Sequence, residues 1–163
     1  MPDISTEVAI QSYTLSSAAT NITFNSIPST YTDLRIVLVG SHSTASGVAL
    51  QFNSDTASNY SRTFLYGTGS IAGSGRNTSA TSIVGGNVGN TFPAINEIDI
   101  FSYSGSTPKT VLIAGSDDRN GSGTAVRVVG LWRSTSVITS VKILQPDGYN
   151  LNAGTTATLY GIL

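Results

Sequence analysis

The chain has 163 residues, no cysteine, one histidine, one methionine and a formal net charge of −1, with 10% of its residues charged. That length suits one domain with a real core, and the missing thiols exclude a disulfide framework and a zinc knuckle. Near-neutral charge gives no electrostatic case for nucleic acid or an anionic membrane, and no apolar run reaches transmembrane length.

Met1 through Glu7 carry neither a basic n-region nor an apolar h-region, so no secretory signal is expected. Ile22 and Phe24 then alternate with polar neighbours, the pattern of a half-buried strand. Leu34, Ile36 and Leu38 alternate with Arg35, Val37 and Val39; both sets are largely apolar, which predicts a central strand covered on both faces. Val48, Leu50 and Phe52 form the next stripe. Tyr60, Arg62, Phe64 and Tyr66 line one face of a strand whose other face is Ser61, Thr63 and Leu65. Residues 67–77 are rich in Gly and Ser and are expected to form a long exposed loop, with residues 85–91 a second one. Ile98 and Ile100 then oppose Glu97 and Asp99, and residues 110–114 continue the pattern. Val126, Val128 and Trp132 follow; Val137, Thr139, Val141 and Ile143 predict another strand, and Thr156, Thr158, Tyr160 and Ile162 a last one.

Turn signals recur about every ten residues. Among them are Asn120-Gly121 and Pro146-Asp147-Gly148, whose residues tolerate positive φ. No window pairs a 3.6-residue period with caps, so no helix beyond three turns is expected. The reading is all-β: about ten short strands in one antiparallel β-sandwich over residues 1–163, jelly-roll-like by preference.

Each chemical motif has a plainer reading. Gly67-Thr68-Gly69-Ser70-Ile71-Ala72 matches a dinucleotide fingerprint, but the glycine-rich residues after it cannot start the helix that would meet a pyrophosphate. Glu97 and Asp99 project from one strand face at a spacing near that of an inverting glycosidase; two solvated acids opposite core isoleucines are the simpler account. Asp117-Asp118-Arg119-Asn120-Gly121 lacks the ligand spacing of a calcium loop and reads as a turn with a local Asp–Arg pair. His42 lies among many serines, with no G-x-S-x-G elbow, so it reads as a strand-end loop residue. No catalytic, cofactor-binding or metal-binding residue is expected. Trp132 is expected in the core. Tyr60, Tyr66 and Tyr103 near loops, with Arg76 and Asn77 at the end of the first glycine-rich segment, are the candidate contact residues.

Several stretches share a wider likeness. They are Tyr13-Thr14-Leu15 leading into Ile22-Thr23-Phe24, then Ile27-Pro28 through Asp33-Leu34-Arg35, and Phe52-Asn53-Ser54-Asp55 before Asn59-Tyr60-Ser61. Gly130-Leu131-Trp132-Arg133-Ser134 and the closing Thr158-Leu159-Tyr160-Gly161-Ile162 complete the series. Together they resemble a family of small virion structural proteins, or equivalent terminal modules, of tailed bacteriophages. The resemblance implies a non-enzymatic particle component. In it Pro28 and Asp33 would set the start of a central strand, and Asn53, Asp55 and Asn59 would brace a turn. It makes a capsid decoration or cement protein the first expectation, assembled in the host cytoplasm and exposed on the virion. Its partners would be the major capsid protein and further copies of itself. No stalk, heptad or collagen-like repeat points to a fibre. A tail fibre or receptor-binding head recognising host-surface glycans through the glycine-rich segments is the alternative. A depolymerase would rest on Glu97 and Asp99 alone.

Overall fold

A computed structural model describes residues 6–44, 46–89 and 92–163. Among them there is no helix; twelve antiparallel strands form two sheets. In chain order they are β1 (Glu7–Thr14), β2 (Asn21–Phe24), β3 (Asp33–Gly40), β4 (Ser46–Phe52), β5 (Tyr60–Gly67) and β6 (Ala72–Ala80), then β7 (Ile83–Val88), β8 (Ala94–Phe101), β9 (Lys109–Asp118), β10 (Gly123–Trp132), β11 (Val141–Leu144) and β12 (Thr156–Ile162). The broad sheet runs β1-β12-β3-β8-β9-β10-β5-β6 and the narrow one β2-β11-β4-β7. Their facing sides share one core, with Phe24, Leu34, Ile36, Leu50, Phe52, Ile98, Val111, Trp132, Ile143 and Leu159 all enclosed. This is a β-sandwich, as the alternation predicts.

The connectivity is nested. β1, β2, β3 and β4 pair in turn with β12, β11, β8 and β7, and successive pairs alternate between the sheets. The hairpins β5–β6 and β9–β10 lie outside this ribbon and extend the broad sheet beyond β8. The turn joining β9 to β10 uses positive φ at Asn120 and Gly121, and Gly148 is left-handed as well, as the turn signals require.

Four expectations need correction; the first is that Val137 and Thr139, expected in a strand with Val141 and Ile143, precede it, since β11 begins at Val141. The segment 67–77 is not a long loop: only its first residues turn, and from Ala72 it is strand β6. Its glycines are what the neighbouring strand demands. A Cβ on Gly73 would sit 2.7 Å from the Tyr66 ring, and one on Gly75 2.7 Å from the Phe64 ring, so both aromatics lie over bare backbone. Residues 85–88 likewise belong to β7, where a Cβ on Gly86 would come within 2.7 Å of the Gly115 Cα on the opposite sheet. Residues 90 and 91 of that expected loop lie outside the described residues. Finally, β3 is central within its sheet but covered on one side only: Leu34, Ile36 and Leu38 are buried, whereas Val39 is exposed.

Candidate functional site

The alternation along β5 divides its side chains between two surfaces. Tyr60, Arg62, Phe64 and Tyr66 point toward the narrow sheet, while Thr63 and Leu65 point away from it. Because the narrow sheet ends at β7, the β5–β6 hairpin overhangs it and leaves a trough. The trough is lined by Arg62, Phe64, Tyr66, Thr68, Val84 and Val126. The rings of Phe64 and Tyr66 are 6.5 Å apart and nearly parallel, and the Arg62 guanidinium lies 4.4 Å from the Phe64 ring centre. Arg62 Nε also donates to Asn77 Oδ1 at 2.8 Å and Nη1 to the Val84 carbonyl, and half-burial holds its pKa below the usual value.

Of the candidate contact residues, Tyr66 therefore lines this trough, and Asn77 lies outside it, bonded to the Arg62 side chain. Arg76 lies on the opposite face, its Nε bonded to Thr63 Oγ1 at 3.2 Å. Tyr60 and Tyr103 are corrections. Both are 0% exposed and cannot touch a partner. The Tyr60 ring stacks on Trp132, and its hydroxyl donates to the Asp55 carbonyl and accepts from Phe52 N–H, at 3.0 Å each. The Tyr103 hydroxyl reaches the Pro28 carbonyl and accepts from Tyr31 N–H. Tyrosine with an apolar ring and a satisfied hydroxyl is as good a core residue as a surface one, and position near a loop did not separate the two.

The turn residues do brace the core. Asp55 accepts from Trp132 Nε1 at 2.7 Å, Asn59 Nδ2 at 2.9 Å and Ala57 N–H at 2.9 Å, and these bonds, that from Asn59 foremost, lower its pKa. Asn53 Oδ1 accepts from the amides of Thr139 and Ser140, and its Nδ2 donates to Val137 O. Trp132 is buried. Asp33 Oδ1 accepts from Ser102 N–H at 2.7 Å where β3 begins. Several further acids are also structurally engaged. Asp99 bonds Arg35 at 2.7 Å, which also reaches Glu7, so the Glu97–Asp99 pair is split between an ion-paired acid and an exposed one. Asp117 pairs with Arg119 at 2.9 Å, and Asp118 Oδ1 accepts from Asn120 N–H. Among the described residues no group of three or more His, Cys, Asp or Glu could hold a metal ion, and no helix is long and apolar enough to cross a membrane.

The second surface is the outer side of the broad sheet, which the narrow sheet does not cover. One row across it reads Val37, Glu97, Ala114, Arg127, Leu65; the row above reads Val39, Ile95, Ser116, Ala125. Leu65 is 58% and Val129 52% exposed, and Val39, Ile95 and Phe101 are exposed with them. Glu97, Arg127 and the Arg35–Asp99 pair lie among these apolar side chains, so the face is a mixture of exposed apolar and charged positions. The signal was present in the sequence as the second apolar set of β3 and as Ile95, Leu112 and Val129 at outward positions. No protein-family model matches the chain, and comparison with curated proteins and with solved structures finds no significant match.

Proposed function

We propose that this chain is a non-enzymatic structural protein of a tailed-bacteriophage particle, a decoration or cement protein on the outside of the major capsid lattice. The observation that carries the reading is the strand order. Four nested pairs alternating between two sheets give the order β1-β12-β3-β8 over β2-β11-β4-β7, which we infer to be a jelly roll widened by two inserted hairpins. That architecture serves viral capsid and lectin domains, and a broad sheet whose open side exposes Val39, Leu65, Ile95 and Val129 suits a subunit that packs against others. The sequence resemblance to phage virion proteins points the same way. Electron cryo-microscopy of the intact particle tests it. Density of this size at lattice points on the head is the expected result, and density confined to the tail overturns it.

The trough under the β5–β6 overhang favours a second reading, recognition of host-surface glycans by a tail component. Aromatic rings beside an arginine are a polar–apolar mixture suited to a sugar. Binding to host polysaccharide that is lost in Tyr66→Ala would support it; no binding by the intact protein would remove it.

A further inference from the structure

We propose that the outer side of the broad sheet is the interface with a second copy of this chain, packed face to face about a two-fold axis along β9. The inference rests on the reading of the protein as a packing subunit, but not on which particle it enters.

The face is complementary to itself. Glu97 on β8 and Arg127 on β10 flank Ala114 on β9 in one row, one strand to either side. Both side chains are exposed, and among the described residues neither is within ion-pair distance of an opposite charge, although Glu97 lies near enough to Arg35 to help raise its pKa. A two-fold axis lying in the interface along β9 exchanges the β8 and β10 positions of facing sheets. Each Glu97 then meets the partner's Arg127, and two equivalent ion pairs form on either side of the axis. The same operation sets residues of unlike size opposite each other one row up: the large Ile95 faces the small Ala125, beside the hollow that Ala114, Ala125 and Gly67 line. Further out, Val37 on β3 faces Leu65 on β5.

Sequence and size agree with this occupant. β3 has the two-sided apolar pattern of a covered strand, yet within one chain Val39 is exposed. A second sheet on this side would supply the missing cover at the spacing of a sandwich. Five strands from β3 to β5 and seven residues along each give a plane of roughly 24 by 24 Å before side-chain relief. Stable interfaces bury about 800 Å² per partner, which such a face approaches once its side chains are counted. An unrelated protein could cover apolar residues equally well, but it would have no reason to match both members of a charge pair placed symmetrically about β9.

The test is sedimentation equilibrium and light scattering of the purified full chain over a range of concentrations, with three variants. The intact protein is expected to dimerise. Glu97→Arg and Arg127→Glu each set like charges face to face and should weaken dimerisation by about tenfold or more. The double variant Glu97→Arg/Arg127→Glu restores opposite pairing and should recover most of the affinity, a rescue that a folding defect would not show. A monomer at about 100 µM, a trimer, or a double variant as weak as the singles would overturn the proposal. A dimer that leaves phage heads bare would overturn the decoration reading and leave this inference standing. A monomer that decorates heads would do the reverse.

Discussion

His42 and Gln145 are enclosed together at one end of the sandwich, 2.7 Å apart between Nε2 atoms. The Gln145 amide donates to a neutral imidazole; protonation would bring two donors face to face. Burial accordingly lowers the His42 pKa from 6.5 to about 4. The unfolded chain then binds a proton below pH 6.5 that the folded chain refuses until about pH 4, so stability is full above pH 6.5 and falls as pH drops through that window. The loss should approach roughly 3 kcal/mol, and urea titrations from pH 7 to pH 4 should show that slope reduced in His42→Gln. Lys109 is a second enclosed charge, with Nζ donating at 2.5 Å to the carbonyls of Gly105 and Thr107 and at 3.4 Å to that of Thr135. Replacing it with methionine keeps the stem but strands those carbonyls, so Lys109→Met should cost about 3 kcal/mol in the same assay. A loss below about 0.5 kcal/mol would mean that water satisfies the loop as well as the ammonium does.

Between elements, glycine decides how closely strands approach. Gly86 on β7 meets Gly115 on β9 across the sandwich, and a methyl group at either position would enter the other's backbone. Gly86→Ala should therefore destabilise by about 3 kcal/mol through forced separation of the sheets. Gly67→Ala, with nothing within 4 Å of the added methyl, should stay within about 0.5 kcal/mol of the parent. Equal losses by urea denaturation would show that chain entropy rather than contact sets these sites. The same glycines explain which strands can be read from the sequence. β3, β8 and β12 bury every second side chain and announce themselves by alternation. β6 and β7 spend their inward positions on Gly73, Gly75, Gly85 and Gly86, which signal loops unless the ring or strand they admit is known. β1 escapes for another reason: it is an edge strand with no fully buried side chain, and an irregularity between Ala9 and Gln11 shifts its alternation. Residues 137–140, expected as strand, instead brace Asn53, because backbone bonds to one side chain replace a ladder there. Of the contact residues, Tyr66 could be found by its strand face, Asn77 only as part of a segment read as a loop, and Tyr60 and Tyr103 could not be rejected without knowing where their hydroxyls bond.

Across the whole molecule, both sheets are closed by the end of the chain. β11 lies between β2 and β4, and β12 between β1 and β3, so the register of the earliest strands is completed by residues more than a hundred positions away. Such pairing carries a large loop-closure cost before any contact repays it, and places the chain among slow folders, with refolding in roughly milliseconds to seconds. The two strands at the shared edge should nonetheless behave differently on removal. β12 contributes the enclosed Ala157 and Leu159 and bonds on both sides, so deleting residues 156–163 should abolish the cooperative urea transition. β1 is laddered to β12 on one side, adds the Glu7–Arg35 ion pair and the Gln11 bond to the Asn25 carbonyl, and half-buries Ile10, with Tyr13 set 5.4 Å from the Phe24 ring. Deleting residues 1–14 should keep a cooperative transition at a loss of roughly 2–4 kcal/mol, in line with the apolar area those two side chains cover. If both deletions unfold the protein, the nested ribbon folds as one unit from end to end. If both are tolerated, the core is held by β3, β8, β9 and β10 alone, and the ribbon's closing strand serves only to cover an edge.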